Sequence, residues 1–343
     1  MSDSKLDSIE ENPGSSKGDG TRPPTKDEIA RRRRVIDRVE ALLLTAVSAE
    51  ALIQQDDIKL EYVLPGLVRG TLGLIVGGGS SSKSMLALYL AISVALGRDV
   101  FGLLPDHEFT RGRVIFLSLE DARVPLAARY QRLLKSLPAH LQREIIDAEE
   151  QGWIHIIPAL DKALRPVFRD PRSREILFGE DLDVIRELSS GASLILVDTL
   201  SVLTGPCGLD ENSNSDMGPL ISGLNRIAGA SNCALVLLHH VAKGDDAGAG
   251  RGASAISDNA RWRLSMRPMT PDEAEKAYGQ KDAEERLSWV KIEWTKQNYA
   301  PSRLPIWLRR EGVQLRRDTP PVMEELPAPR GNRRPYRGEG AHG

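Results

Sequence analysis

The segment Gly77-Gly-Gly-Ser-Ser-Ser-Lys-Ser84 constrains this 343-residue chain more than any other. It follows an apolar run, Leu72-Gly-Leu-Ile-Val76, and opens onto Met85-Leu-Ala-Leu-Tyr-Leu-Ala91. A glycine-rich loop between a strand and a helix turns backbone N–H groups toward phosphate oxygens, and the helix N-terminus adds its dipole. In that setting Gly77, Gly78, Gly79, Ser80, Ser81, Ser82, Lys83, Ser84 and Met85 form a candidate phosphate cradle. Lys83 would neutralise the β- and γ-phosphates of ATP, and the Ser84 hydroxyl would ligate Mg²⁺. The pattern G-x-x-x-x-G-K-[ST] is met except at Ser82, where the second glycine belongs. A side chain there can crowd the phosphates or restrain the loop, which puts the rate of hydrolysis in question.

From about residue 60 the chain alternates strand and helix. Strands are expected at Thr71–Val76, Arg113–Leu119, Trp153–Ile157, Leu194–Asp198 and Ala234–His239. Helices are expected at about 83–97, 122–136, 180–190 and 214–230. Continuous apolar strands separated by helices indicate an α/β fold, a mostly parallel central sheet covered on both faces. After residue 260 short alternating strands (Arg261–Ser265, Ser288–Thr295, Pro305–Arg309, Val313–Arg316) predict an antiparallel C-terminal extension. Upstream, Thr25 with Glu28 reads as a capping box, and Ile29, Ile36, Val39, Leu43 and Val47 predict one amphipathic helix to about residue 54. Its Arg31–Arg34 run reads first as a solvated face, with a basic surface for DNA or a neighbouring subunit as the alternative. The organisation expected is therefore a disordered segment 1–24, a helical arm 25–59, one large domain 60–317, and a disordered Pro/Arg/Gly-rich tail 318–343.

Two of the strands end in acids. Asp198 closes Leu194-Ile-Leu-Val-Asp198, the position from which a carboxylate holds the Mg²⁺ shell. Glu120 and Asp121 follow Arg113-Val-Ile-Phe-Leu-Ser-Leu119 and reach the same sheet edge, where ligands of open α/β sheets bind. Glu120 is the candidate general base for water, and Asp121 is also placed to cap the helix that follows. A third strand ends in His239-His240, of which His240 is the better candidate for sensing the γ-phosphate; no third zinc ligand sits nearby. The glycine-rich loop after it carries Lys243 and Arg251, cations suited to a phosphodiester backbone. The loop Thr204–Asn214 has no cation and is the weaker candidate.

Composition removes several classes. A formal net charge of -2 gives no global attraction to nucleic acid, so a polyanion must meet a local basic patch. Two cysteines, Cys207 and Cys233, form no metal-ligand spacing or disulfide framework. The N-terminus is polar and acidic, and no apolar run approaches the roughly 20 residues a membrane helix needs. A cytoplasmic location without membrane contact is expected.

With these residues in this order, the chain resembles the RepA hexameric replicative DNA helicases of IncQ-type plasmids, within the RecA/DnaB-like P-loop ATPases. The likeness runs over about residues 60–316, through Leu60-Glu-Tyr-Val-Leu-Pro65, Lys83-Ser-Met-Leu-Ala-Leu88, Glu120-Asp121, Val197-Asp-Thr-Leu200, Leu238-His-His240, Arg251-Gly252 followed by Asp258-Asn-Ala-Arg-Trp262, Thr295-Lys-Gln-Asn-Tyr299 and Trp307-Leu-Arg-Arg310. It implies a RecA-like core, a homohexameric ring with ATP at each subunit junction, single-stranded DNA in the channel, and 5′-to-3′ movement. It also implies that Arg261 is an arginine finger entering the neighbour's site, and that Lys296 is a second cation acting across the junction. The N-terminal arm is longer than the family's. It is open to packing on a neighbouring subunit or recruiting a replication partner, an initiator or a primase. Two other readings stay open: a filament-forming recombination or DNA-remodelling ATPase, and a nucleotide-gated regulatory protein with weak hydrolysis.

Overall fold

The computed structural model describes residues 25–79, 81–240, 254–312 and 314–321. They fall into two compact units divided between Lys59 and Leu60. In the first, α1 (Lys26–Leu43) opens on the expected capping box: the Thr25 hydroxyl accepts from the Glu28 N–H, and the Glu28 carboxylate accepts from the Thr25 N–H at 2.6 Å. No residue of α1 is buried, and Arg33 of the basic run pairs with Asp37 at 2.9 Å. The single helix expected to residue 54 is instead two. The chain turns at Leu44–Thr45, and α2 (Ala49–Ile53) starts afresh from Ser48, whose hydroxyl accepts from the Ala51 N–H. A serine that caps a new turn has overruled the apolar period that Val47 continues.

The second unit opens with a short hairpin, β1 (Tyr62–Leu64) and β2 (Leu67–Val68), and then β3 (Leu72–Gly77) leads into α3 (Lys83–Leu96). There follow β4 (Val114–Ser118), α4 (Arg123–Lys135), α5 (Ala139–Glu150) and β5 (Ile154–Pro158). A second hairpin, β6 (Val167–Arg169) and β7 (Ile176–Phe178), precedes α6 (Asp181–Ser189), β8 (Leu194–Asp198), α7 (Leu200–Thr204), α8 (Asn214–Ser231) and β9 (Ala234–His240). The last elements are α9 (Ser254–Asn259), β10 (Trp262–Pro268), α10 (Pro271–Tyr278), β11 (Trp289–Gln297), β12 (Ile306–Glu311) and β13 (Gln314–Arg317).

Among the described residues the main sheet runs β13-β12-β11-β10-β3-β9-β8-β4-β5. It is parallel from β10 to β5 and antiparallel from β10 outward to β13. The first of the late strands therefore completes the parallel part, and the antiparallel extension starts one strand later than expected. Strand alternation sends Ile75, Phe116, Leu196, Val236 and Leu264 to one face, where α3 lies. Leu74, Val76, Leu117, Val197 and Leu237 go to the other, against α7 and α8. Helix α3 is apolar almost all round and correspondingly buried, from Met85 through Ala95. No helix among the described residues is long and apolar enough to cross a membrane.

Candidate functional site

The parallel register brings four strand ends to one edge. Gly77 pairs with His240, Asp198 with Leu238, and Ser118 with Asp198, so β3, β9, β8 and β4 deliver their next residues together. There the chain forms a cleft of about 530 Å³, lined by Lys83, Ser84, Glu120, Asp198 and His240 among others. That volume is in the range of small-molecule sites, about 300–1,000 Å³. Gly77 is required where it stands: a Cβ would lie 2.4 Å from the backbone oxygen of Met266 on β10.

Lys83 is the hub. It is 4% exposed, and its ammonium donates to the carbonyls of Gly77 (2.9 Å) and Gly78 (3.0 Å) and to the Ser81 hydroxyl (3.4 Å). It also lies 3.2 Å from Nδ1 of His240. An ammonium can only donate, so that Nδ1 accepts and His240 carries its proton on Nε2, which faces the Glu120 carboxylate at 3.5 Å. Three N–H groups are thus shared among four acceptors. Burial lowers the Lys83 pKa to about 8, against the opposing pull of Asp198 and Glu120. A phosphate oxygen offers this lysine a charge-assisted bond that the loop carbonyls cannot match.

Asp198 is 1% exposed, and burial raises its pKa to about 6, while a hydrogen bond from Ser84 lowers it. Its Oδ1 is buried without a hydrogen-bond partner. A buried, unmatched carboxylate oxygen beside a serine hydroxyl is a hard-oxygen donor pair. It fits Mg²⁺, which takes few protein ligands and completes its shell with water and substrate phosphate.

The two histidines part company. His240 turns to Lys83 and Glu120, whereas His239 is buried, with Nδ1 3.8 Å from the Glu211 carboxylate. Burial lowers the His239 pKa to about 4, and the neighbouring His240, Arg263 and Lys83 act in the same direction. Glu211 in turn accepts from the Thr204 hydroxyl at 2.8 Å, so the β9 end touches the loop after α7 through His239. Asp121 does not cap α4 as expected. The N-cap is Ala122, and Asp121 is ion-paired to Arg129 one helical face further on, a stronger partner than an exposed N–H.

Arg261 and Lys296 do not join this cleft in their own chain. Trp262 pairs with Gly73 near the start of β3, and the Arg261 N–H donates to Leu72 O. Arg261 therefore sits five residues, or about 16 Å, below the level of Gly77 at ~3.3 Å per residue. Lys296 donates to the carbonyls of Ser257 (2.9 Å) and Asp258 (3.0 Å) at the end of α9. Ser80, Lys243 and Arg251 lie outside the described residues. What sequence reasoning missed is the rest of the lining: Pro125, Ala128 and Arg132 on α4, and Arg310 and Gln314 on β12 and β13. Only Arg310 left a trace, as a charge on the alternating positions of Ile306 and Leu308.

A family model described as an AAA domain (AAA_25) matches residues 38–246, from α1 through the strand that carries the paired histidines and beyond. The chain belongs to that AAA domain family. Its α/β fold, a mostly parallel central sheet with antiparallel strands at the C-terminal end, is that expected of a RecA-like P-loop ATPase. Among solved structures, a KaiC-like protein from Pyrococcus horikoshii OT3 is similar over 77% of this chain and 100% of its own, at 13% identity and a TM-score of 0.47. The RadB recombinase is similar over 73% of this chain and 91% of its own, at 13% identity and a TM-score of 0.42.

Within this AAA domain Ser82 takes the glycine conformation without being glycine, with φ 67° and ψ 25°. Left-handed backbone costs a side-chain-bearing residue about 1–2 kcal/mol. Glycine removes that cost but loses about 0.5–1 kcal/mol to unfolded-state entropy. Ser82→Gly is therefore expected to be as stable as wild type or up to about 1.5 kcal/mol more stable, and at least as fast in ATP turnover. Thermal unfolding and steady-state hydrolysis check this; a slower variant would mean that the serine itself contributes to the site.

Proposed function

We propose that this chain is an ATP-driven motor on single-stranded DNA, a replicative helicase working as a homohexameric ring. The observation that carries the reading is the continuous contact Lys83–His240–Glu120 at the mouth of the phosphate loop. It joins the residue that grips the γ-phosphate, the base that activates water, and the strand after which the sequence carries Lys243 and Arg251. Glu120, half exposed, accepts the proton of the attacking water. Lys83 holds the leaving and transferred phosphates, and Ser84 with Asp198 holds Mg²⁺. When bound there, Mg²⁺ neutralises charge developing on the phosphate oxygens. His240 loses its γ-phosphate partner on hydrolysis and returns to Lys83, which shifts the end of β9. Lys243 and Arg251 are cations suited to phosphate rather than to bases, so DNA binding should weaken steeply with salt and ignore sequence.

Strand displacement from a 5′-tailed duplex tests this. Wild type should unwind it, and Glu120→Gln should bind ATP yet lose turnover and unwinding by about 10²–10⁴-fold. Rings in electron micrographs with nucleotide belong to the same expectation, whereas helical filaments without unwinding would favour a recombination or DNA-remodelling ATPase. The strained Ser82 supports a second reading, a nucleotide-gated regulatory ATPase with weak hydrolysis. In that case turnover is feeble and DNA leaves it unchanged.

A further inference from the structure

The phosphate end of the cleft is occupied by the loop, the acids and His240, but half of its lining has no part in that chemistry. Met85, Pro125 and Ala128 supply apolar surface there, and Arg132, Arg310 and Gln314 supply polar groups. Arg310 is the least expected of them. On β12 the residues Ile306 and Leu308 pack into the core on the α3 side, and Arg310 is next in that alternation. A third apolar residue is what burial alone would select. The guanidinium donates to Leu287 O at 3.4 Å and borders the cleft, and burial lowers its pKa. Arg132, exposed on the last turn of α4, is in no ion pair among the described residues, unlike Arg129, which is held by Asp121.

Flat guanidinium groups, methylene and proline surface, and one carboxamide make a site for a planar heteroaromatic ring. Guanidinium planes stack on such rings. The Gln314 amide offers one donor side and one acceptor side, which matches the N6–H and N7 edge of adenine. Guanine presents two acceptors, O6 and N7, at the same edge. We propose that Arg310 and Gln314 form the nucleobase subsite of the cleft, with Arg310 stacking on the purine and Gln314 selecting adenine over guanine. The inference rests on the reading of the phosphate loop as a triphosphate site, and tripolyphosphate, which has no base, separates the two.

The experiment is calorimetric titration of the full chain with ATP, GTP and tripolyphosphate, each with Mg²⁺. Wild type should bind ATP about tenfold tighter than GTP, within the range of one bidentate pair. Gln314→Ala should weaken ATP about tenfold, level ATP with GTP, and leave tripolyphosphate unchanged. Arg310→Met should weaken ATP and GTP together and spare tripolyphosphate. The isosteric Gln314→Glu repeats the Gln314 test without removing volume, and thermal unfolding confirms that each variant is folded. Equal binding of ATP and GTP by wild type would overturn the proposal, as would variants that bind like wild type. Loss of tripolyphosphate in parallel with ATP would overturn it too, by making these side chains phosphate ligands. Wild type that binds none of the three would remove the triphosphate reading itself.

Discussion

Lys83→Met should abolish nucleotide binding and turnover while leaving the nucleotide-free protein at least as stable as wild type. The two halves of that result have one cause. In the empty loop the ammonium is desolvated, and its three N–H groups are spread over two carbonyls, a hydroxyl and an imidazole. Burial lowers its pKa from 10.5 to about 8, so the fold disfavours the charged form. For a base with a depressed folded pKa, the unfolded chain binds more protons between the two values, and stability rises with pH there. The cost is fully present below about 8 and fades as pH climbs toward 10.5. The methionine variant, similar in length and uncharged, escapes it. Its advantage in unfolding midpoint should be largest at about pH 7 and shrink by about pH 9.5. Turnover, in contrast, loses the cation that meets the β- and γ-phosphates, a loss of at least about 10²–10³-fold from one stabilising group alone. A variant that is less stable at neutral pH and still binds ATP would contradict this account of the loop.

Arg261→Ala should be nearly as damaging, for a reason that lies outside its own cleft. Arg261 is anchored through its backbone to Leu72 at the start of β3, about 16 Å along the strand from Gly77. An arginine side chain cannot span that distance, so any catalytic role requires a second subunit. A finger supplied across a junction is worth about 10³–10⁵-fold in turnover. The alanine variant should therefore bind ATP normally and hydrolyse it at a rate lower by that order. Mixing decides the geometry. Arg261→Ala keeps Lys83, and Lys83→Met keeps Arg261, so hybrid assemblies contain junctions with both residues intact. Equimolar mixtures of the two inactive proteins should recover turnover. No recovery, with mixed assembly shown to occur, would leave Arg261 as a strand-end charge.

The parts of this molecule written in local pattern were legible. The strand–loop–helix around Lys83 and the strand ends at Glu120, Asp198 and His240 depend on runs of five to eight residues, where apolar content and spacing suffice. Helix α5 and the β6–β7 hairpin were not anticipated: α5 alternates its few apolar residues with charges, and the hairpin strands, though apolar, are three residues each, too short for a period to show. The break after α1 was hidden for the opposite reason: the apolar period runs on through Val47 while Ser48 caps a new helix. The cleft wall was the largest omission. Arg132 lies on α4 and Gln314 on the last strand, and nothing short of the folded sheet brings them together. Ser82 was visible as a missing glycine, but the left-handed backbone it adopts was not. That conformation changes the meaning of the departure, since the loop keeps the shape the glycine would have given it.

One measurement bears most directly on the central reading, an ATP-hydrolysing cleft coupled to single-stranded DNA: the steady-state rate of ATP hydrolysis by the full chain as single-stranded DNA is added. The contact Lys83–His240–Glu120 predicts a slow basal rate that rises severalfold and saturates with DNA, with the rise lost at high salt. A rate that DNA leaves unchanged at every concentration, or the absence of hydrolysis with ATP bound, would contradict it.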